Sequence, residues 1–240
     1  MQLTADIKER IFDEGFAVIE NIFDEQEINE ILRVIDNTDT SRPTFRKTND
    51  LFAIRQFLKE VPGIFNLIFT DKLKYLVAEI FGRNYFVVKS IYFDKPVESN
   101  WFVAYHQDLT ISVDKKFDIK DFGPWTTKQD QFAVQPPLPF LEDNFTIRIH
   151  LDNANEDNGA LKVISKSHLK GIYRQETIDW TIEKETICSV EKGGVMFMKP
   201  LLLHSSGKTI NNNKRRVIHI EFSNKELPMN LKWSEYATIF

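Results

Sequence analysis

Apolar residues recur with one period in the first third of the chain and with another in the rest. Over residues 1–83 the spacing is mostly helical. Asp24 and Glu27 form a capping-box-like start, and Ile28, Ile31, Leu32 and Ile35 then follow on one stripe that must be buried. Ahead of it, Thr4 to Asp13 predicts a short helix ended by Gly15, and Phe16-Ala17-Val18-Ile19 a short strand. Residues 50–60 and 71–81 predict two more helices, stopped by Pro62 and Gly82. From Tyr85 the pattern changes to β-branched and aromatic runs at 85–93, 102–112, 145–152, 160–164, 186–191, 194–204 and 216–222, punctuated by Gly, Pro and Asn. Short strands in such number imply an antiparallel sandwich or barrel, and the helices must pack on the outer face of one sheet. The expected class is mainly β with flanking helices (α+β): one domain, 1–240, with a helical layer at 1–83 and a β core at 84–240.

Two of the runs have strongly unlike faces. In Phe145–Asp152 the odd positions are Phe, Ile, Ile and Leu, and the even ones Thr146, Arg148, His150 and Asp152. In Arg215–Phe222, Ile218, Ile220 and Phe222 lie on one side, and Arg215, Val217, His219 and Glu221 on the other. Such polar faces either meet water or line the inside of a barrel that holds a charged ligand. The helical layer favours the inside, because it needs an apolar sheet face to cover. Between the runs, 113–144 is long, contains Gly123-Pro124, Pro136-Pro137 and Pro139, and shows no sustained period. Connections of that length usually serve as lids or binding loops, and a lid over the site is expected here.

Composition narrows the class of partner. The 240 residues carry a formal charge of −4 with both signs mixed along the chain, so a nucleic-acid footprint is not expected. No apolar stretch reaches the roughly 18 residues of a membrane span. Cys188 is the single cysteine, and the start Met1-Gln2-Leu3-Thr4-Ala5-Asp6 has neither a basic segment nor an apolar run. These features lead us to expect a cytoplasmic protein. The twenty Phe residues speak of core packing and not of chemistry.

The chemistry-bearing residues start with His106-Gln107-Asp108. On an extended segment, residues two apart project to the same side, so His106 and Asp108 can hold one metal. A distant His204, in Leu201-Leu202-Leu203-His204, completes two imidazoles and one carboxylate on a single face, the ligand set of non-haem Fe(II) oxygenases. Asn158-Gly159 turns the chain between them in the manner of a hairpin dipeptide. Arg215 follows on the next strand.

Together these segments resemble the phytanoyl-CoA dioxygenase-like group of Fe(II)- and 2-oxoglutarate-dependent oxygenases. The resemblance is carried by Tyr105-His106-Gln107-Asp108-Leu109, the stretch from Leu151 to Leu161, Ser165-Lys166-Ser167-His168, Pro200-Leu201-Leu202-Leu203-His204 with Arg215, and the opening Gly15–Glu20. It covers nearly the whole chain. The fold it implies is a double-stranded β-helix, a jelly-roll, cupin-like barrel. Its implied ligands for Fe(II) are His106, Asp108 and His204, with Arg215 holding the distal carboxylate of 2-oxoglutarate, a role that suits a planar two-toothed guanidinium. O2 would be the oxidant, and a small molecule would be hydroxylated with release of succinate and CO2. Arg148 is expected to line the co-substrate pocket unless it pairs with a carboxylate. His150 and His219 are expected to pack or to support the ligands, and His168 to stabilise a turn in which Lys166 stands where the family usually has Gly. Arg216 would face the helices. Trp125, Lys128 and Gln131 are expected to meet substrate from the lid. The rival reading is a cupin-like metal protein that binds or isomerises a small molecule without oxygen chemistry, and Arg215 argues against it.

Overall fold

The computed structural model describes residues 2–39, 41, 44–47, 52–96, 101–128 and 131–240. Its first part is helical where the periodicity is helical. Helix α1 (Gln2–Glu14) stops at Gly15, whose φ of +90° suits a residue without Cβ, and strand β1 (Phe16–Ile19) follows. Asp24 caps α2 (Glu25–Asp36) in a complete capping box with Glu27, and Ile28, Ile31 and Ile35 are buried. After β2 (Phe45–Lys47) come β3 (Phe52–Arg55) and the single turns α3 (Phe57–Glu60) and α4 (Ile64–Ile68). The expected helix at 50–60 is therefore corrected: Phe52 to Arg55 pair in a sheet with β2 and with the strand that follows, and the chain turns helical only after Gln56, at φ +52°. Residues 50 and 51 lie outside the described residues. Helix α5 (Asp71–Phe81) has the predicted span, starting behind a Thr70 hydroxyl that accepts from Leu73 N.

The remaining elements are β4 (Phe86–Lys95), β5 (Val103–His106), β6 (Ile111–Val113), β7 (Trp125–Lys128), β8 (Gln131–Val134), α6 (Leu138–Asp143), β9 (Phe145–His150) and β10 (Leu161–Ile164). They are followed by β11 (Glu185–Cys188), β12 (Val195–Met198), β13 (His204–Ser206), β14 (Arg215–Ser223) and β15 (Ala237–Thr238). Three expected segments are thereby corrected. The run at 102–112 divides into β5 and β6, and the run at 194–204 into β12 and β13, because a turn at Lys199, with Leu202 N donating to Lys199 O, interrupts the extended chain at Pro200. The segment 113–144 carries a β7–β8 hairpin and α6. Asn158-Gly159 does not form a hairpin, since β9 and β10 belong to different sheets, and instead it closes a 3-10 turn at Glu156–Asn158.

The strands form an eight-stranded sheet ordered β1-β12-β9-β14-β4-β3-β2 with β15 beside β4, a four-stranded sheet ordered β11-β10-β13-β5, and a three-stranded sheet ordered β6-β8-β7. Every pairing is antiparallel, and the two larger sheets face one another as an open jelly roll. One face of β9 and β14, carrying Phe145, Ile147, Ile149, Ile218, Ile220 and Phe222, packs with the buried residues of α1, α2 and α5 into the main core. Phe145 stacks between Phe81 and Phe222 at centroid distances of 3.6 and 4.7 Å. The apolar faces are thus used up by the helices, which leaves the polar faces of β9 and β14 turned to the space between the sheets.

Candidate metal centre

That inner space holds a cavity of about 180 Å3 lined from the large sheet by Lys89, Arg148, Arg215 and His219, and from the small sheet by His106, His204 and Ser206. The register of β13 on β5 sets His204 directly opposite His106, with ring centroids 4.3 Å apart. Asp108 lies just past the end of β5, tied down by its N–H to the Pro200 carbonyl at 2.9 Å. Gln107 points away and fixes the loop. Its amide donates to Gly171 O and Leu201 O and accepts from Tyr173 N, so both ligand-bearing loops are pinned by one side chain.

The donor geometry suits an ion. His106 Nδ1 is 2.9 Å from Ala104 O, and His204 Nδ1 is 2.8 Å from Leu202 O, contacts that place the proton on Nδ1 and turn the Nε2 lone pair into the cavity. His106 Nε2 is 4.0 Å from Asp108 Oδ1 and His204 Nε2 is 3.9 Å from Asp108 Oδ2, distances that two bonds of about 2.1 Å to a shared ion span. Asp108 Oδ2 is buried with no hydrogen-bond partner. Burial holds the His204 imidazole neutral, its pKa pushed down to about 4 against the pull of Asp108. Asp108 itself is held well below the usual carboxylate range: burial pushes it up, but His204, His219, Lys89 and His106 outweigh that. A second cluster of ligand-type atoms, Asp108 with His219 and Glu221, is already engaged, because Glu221 accepts from Lys89 at 2.6 Å and contacts His219 Nε2 at 3.1 Å.

Two guanidiniums share the cavity, and among the described residues neither makes a hydrogen bond or close ion pair with a carboxylate. Arg215 is 4% exposed, its Nη2 donates to Ser206 Oγ at 3.2 Å, and its Nε has no partner. Burial, with Arg148 nearby, lowers its pKa to about 9. Arg148, lowered to about 10 mainly by burial, sets Nη1 3.1 Å from His219 Nδ1. His219 then carries its proton on Nε2 toward Glu221. Its neighbour His150 is buried with both ring nitrogens unpartnered. Arg216 faces the other way and grips Asp152 with two bonds of 2.7 and 2.8 Å, which takes Asp152 out of the inner face where alternation alone would put it.

His106, Asp108, His204, Arg215 and Arg148 thus meet in one cavity, while the three residues expected at the substrate separate. Gln131 lines a neighbouring cavity. Trp125 packs into a second apolar cluster with Ile111, Val134 and Leu141, and lines neither space. The Lys128 side chain lies outside the described residues. His168 Nε2 contacts Phe12 O at 3.0 Å, and Lys166 takes the left-handed conformation, φ +64°, that a Gly would take there. Sequence reasoning missed Gln107 and the half-buried Lys89–Glu221 pair. A lone Lys inside the Phe86–Phe93 run was the available signal for the pair.

The profile of the phytanoyl-CoA dioxygenase (PhyH) family matches residues 12–217, and the chain belongs to that family, a group of iron- and 2-oxoglutarate-dependent oxygenases. No curated protein sequence matches it. Among solved structures it is similar to EctD from S. alaskensis in its apoform, with a TM-score of 0.70 and 16% identity over 91% of this chain and 76% of that one. It is also similar to HygX from Streptomyces hygroscopicus with nickel, 2-oxoglutarate and hygromycin B bound, with a TM-score of 0.64 and 14% identity over 91% and 86%. A third is the epimerase SnoN in complex with Fe3+, alpha ketoglutarate and nogalamycin RO, with a TM-score of 0.66 and 12% identity over 99% and 95%. Among the described residues no helix is long and apolar enough to cross a membrane.

Proposed function

We propose that the protein is an Fe(II)- and 2-oxoglutarate-dependent dioxygenase that hydroxylates a small molecule, with His106, Asp108 and His204 as the iron ligands and Arg215 as the anchor of the co-substrate. The carrying observation is the buried Arg215 beside an intact ligand triad. A guanidinium taken out of water without a carboxylate is costly, and a dianion that pairs with it while its other end reaches the metal removes that cost. Arg215 and the Ser206 hydroxyl would hold the distal carboxylate, and Arg148, held in place by His219, would add a second positive charge to the wall. The metal, when bound, supplies the activation of O2.

The overall reaction is R–H + 2-oxoglutarate + O2 → R–OH + succinate + CO2, with one oxygen atom of O2 in the product and the other in succinate. This chain's residues fix the ligand tautomers, exclude water from the interior and hold the dianion. SnoN is an epimerase, so hydroxylation is the finer part of the proposal. The competing reading, a metal-binding cupin-like isomerase or binder without turnover, leaves Arg215 with no purpose.

Anaerobic addition of Fe(II) and then 2-oxoglutarate should produce a visible charge-transfer band. Arg215→Ala should raise the 2-oxoglutarate Kd by at least about tenfold, the loss of hydrogen bonds to a charged group worth about 1.5–3 kcal/mol, with Fe(II) affinity kept. Absence of the band, or an unchanged Kd in the variant, would remove the proposal.

A further inference from the structure

Beside the metal cavity lies a larger one of about 420 Å3, and Lys89 and Ile91 line both, so the two spaces share a wall. Its floor is the inner face of the β3–β4 edge, where Arg55 pairs in register with Ile91. Its roof is one face of the small sheet β6-β8-β7. That sheet is sorted by alternation. Ile111, Val113, Phe132, Val134 and Trp125 belong to the second apolar cluster, and Val113 and Phe132 also border the cavity. On the opposite face Ser112, Ala133 and Thr126 stand side by side in register, with Gln131 two residues from Ala133.

The lining is rich in neutral polar side chains, half-buried or exposed, that are free to meet a ligand. Gln56, Thr110, Ser112, Thr126, Gln131 and Ser234 all border the cavity, and among the described residues none of their side chains makes a hydrogen bond to the protein. Gln56 is also held in the left-handed region, φ +52°, a conformation costly for a residue with Cβ and concentrated at functional sites. The charged neighbours, by contrast, are engaged. Glu235 accepts from Ser90 N and Oγ, Asp114 accepts from Lys232 N, Lys89 pairs with Glu221, and Arg55 is not free.

We propose that this cavity receives the molecule to be oxidised, and that this molecule is a small neutral polyol of the monosaccharide or cyclitol class. The inference rests on the oxygenase reading above. Neutral donors and acceptors in excess, with every ionic group already engaged, match a ligand that offers several hydroxyls and no net charge. A fatty acyl chain would strip water from the polar side chains it covered and offer them no partner, which disfavours its binding. The volume agrees: it lies at the small end of the roughly 300–1,000 Å3 of ligand sites, enough for a small hydroxylated ring system and too little for an acyl chain with a nucleotide attached.

The test uses the full chain loaded anaerobically with Fe(II) and 2-oxoglutarate, probed by ligand-observed NMR with methyl α-glucopyranoside, myo-inositol and decanoate. A polyol should show saturation transfer and decanoate none. The triple variant Ser112→Ala, Thr126→Ala, Gln131→Ala should weaken the polyol at least tenfold and keep the charge-transfer band, which also shows that it is folded. If the wild type lacks the band, the oxygenase reading fails whatever the polyols do. If the band is present but no polyol binds, or decanoate binds instead, or the variant binds the polyol as well as wild type, the substrate class is wrong.

Discussion

At position 15 the chain has no room for a methyl group. Gly15 sits at φ +90°, and a Cβ there would come within 2.6 Å of His168 Nδ1 and 2.8 Å of Leu202 Cδ1. Gly15→Ala should therefore destabilise by more than about 1 kcal/mol, read as a lower urea midpoint, and a neutral result would mean the turn is looser than it looks. His150 makes a second residue-scale prediction. Burial, with Arg148 and Arg215 facing it, holds its pKa well below the ordinary value. The unfolded chain then takes up a proton near pH 6.5 that the folded chain refuses. Stability is full above that pH and lost as pH falls below it, by up to about 1.4 kcal/mol per pH unit for each such group. His168, His204 and His219 shift the same way. The thermal midpoint of the metal-free protein should drop between about pH 6.5 and 5, and His150→Leu should flatten that drop. An unchanged slope in the variant would exonerate His150. At this scale the proposed ligands could be picked out because each belongs to a local pattern, and the structure brings them together. Lys89 and Glu221 were not, since their meeting depends on the register of β14 on β4.

Strand β14 shows how one element divides two tasks. Period two sends Arg215 inward to the cavity and Arg216 outward to Asp152. Arg216→Ala should cost about 1–2 kcal/mol of stability, the bonds being charged but only half-buried, and should leave the 2-oxoglutarate Kd within twofold of wild type. Arg215→Ala should do the opposite, and equal effects from both would contradict the assignment of faces. The same alternation is why β9 and β14 were readable from sequence, down to which face the helices cover. It failed where the chain leaves an element for the sake of the site. Pro200 to Leu203 continue the apolar run of β12, yet they form the turn that brings His204 opposite His106. Residues 52–55 fail for a different reason, because pairing with β4 overrides a weak local preference for helix.

Over the whole molecule the decisive quantity is charge between the sheets. Glu221 is paired with Lys89, so Asp108 is the one inner carboxylate left to face Arg148 and Arg215 among the described residues lining the metal cavity. Binding a divalent ion at His106, Asp108 and His204 adds two positive charges to a space that already repels them, whereas a dicarboxylate removes the excess. The two ligands should therefore help each other. A ligand that binds only the folded state stabilises it by RT ln(1 + [L]/Kd), about 2.7 kcal/mol at a concentration of 100 Kd. With reciprocal coupling of about 1–3 kcal/mol, the rise in thermal midpoint with Mn(II) and 2-oxoglutarate together should exceed the sum of the rises with each alone. In Arg215→Ala the excess should vanish while the rise with Mn(II) alone stays or grows, since one repelling charge is gone. Simple additivity in the wild-type protein would mean that the inner arginines do not meet the co-substrate, and the charge argument would fall with it.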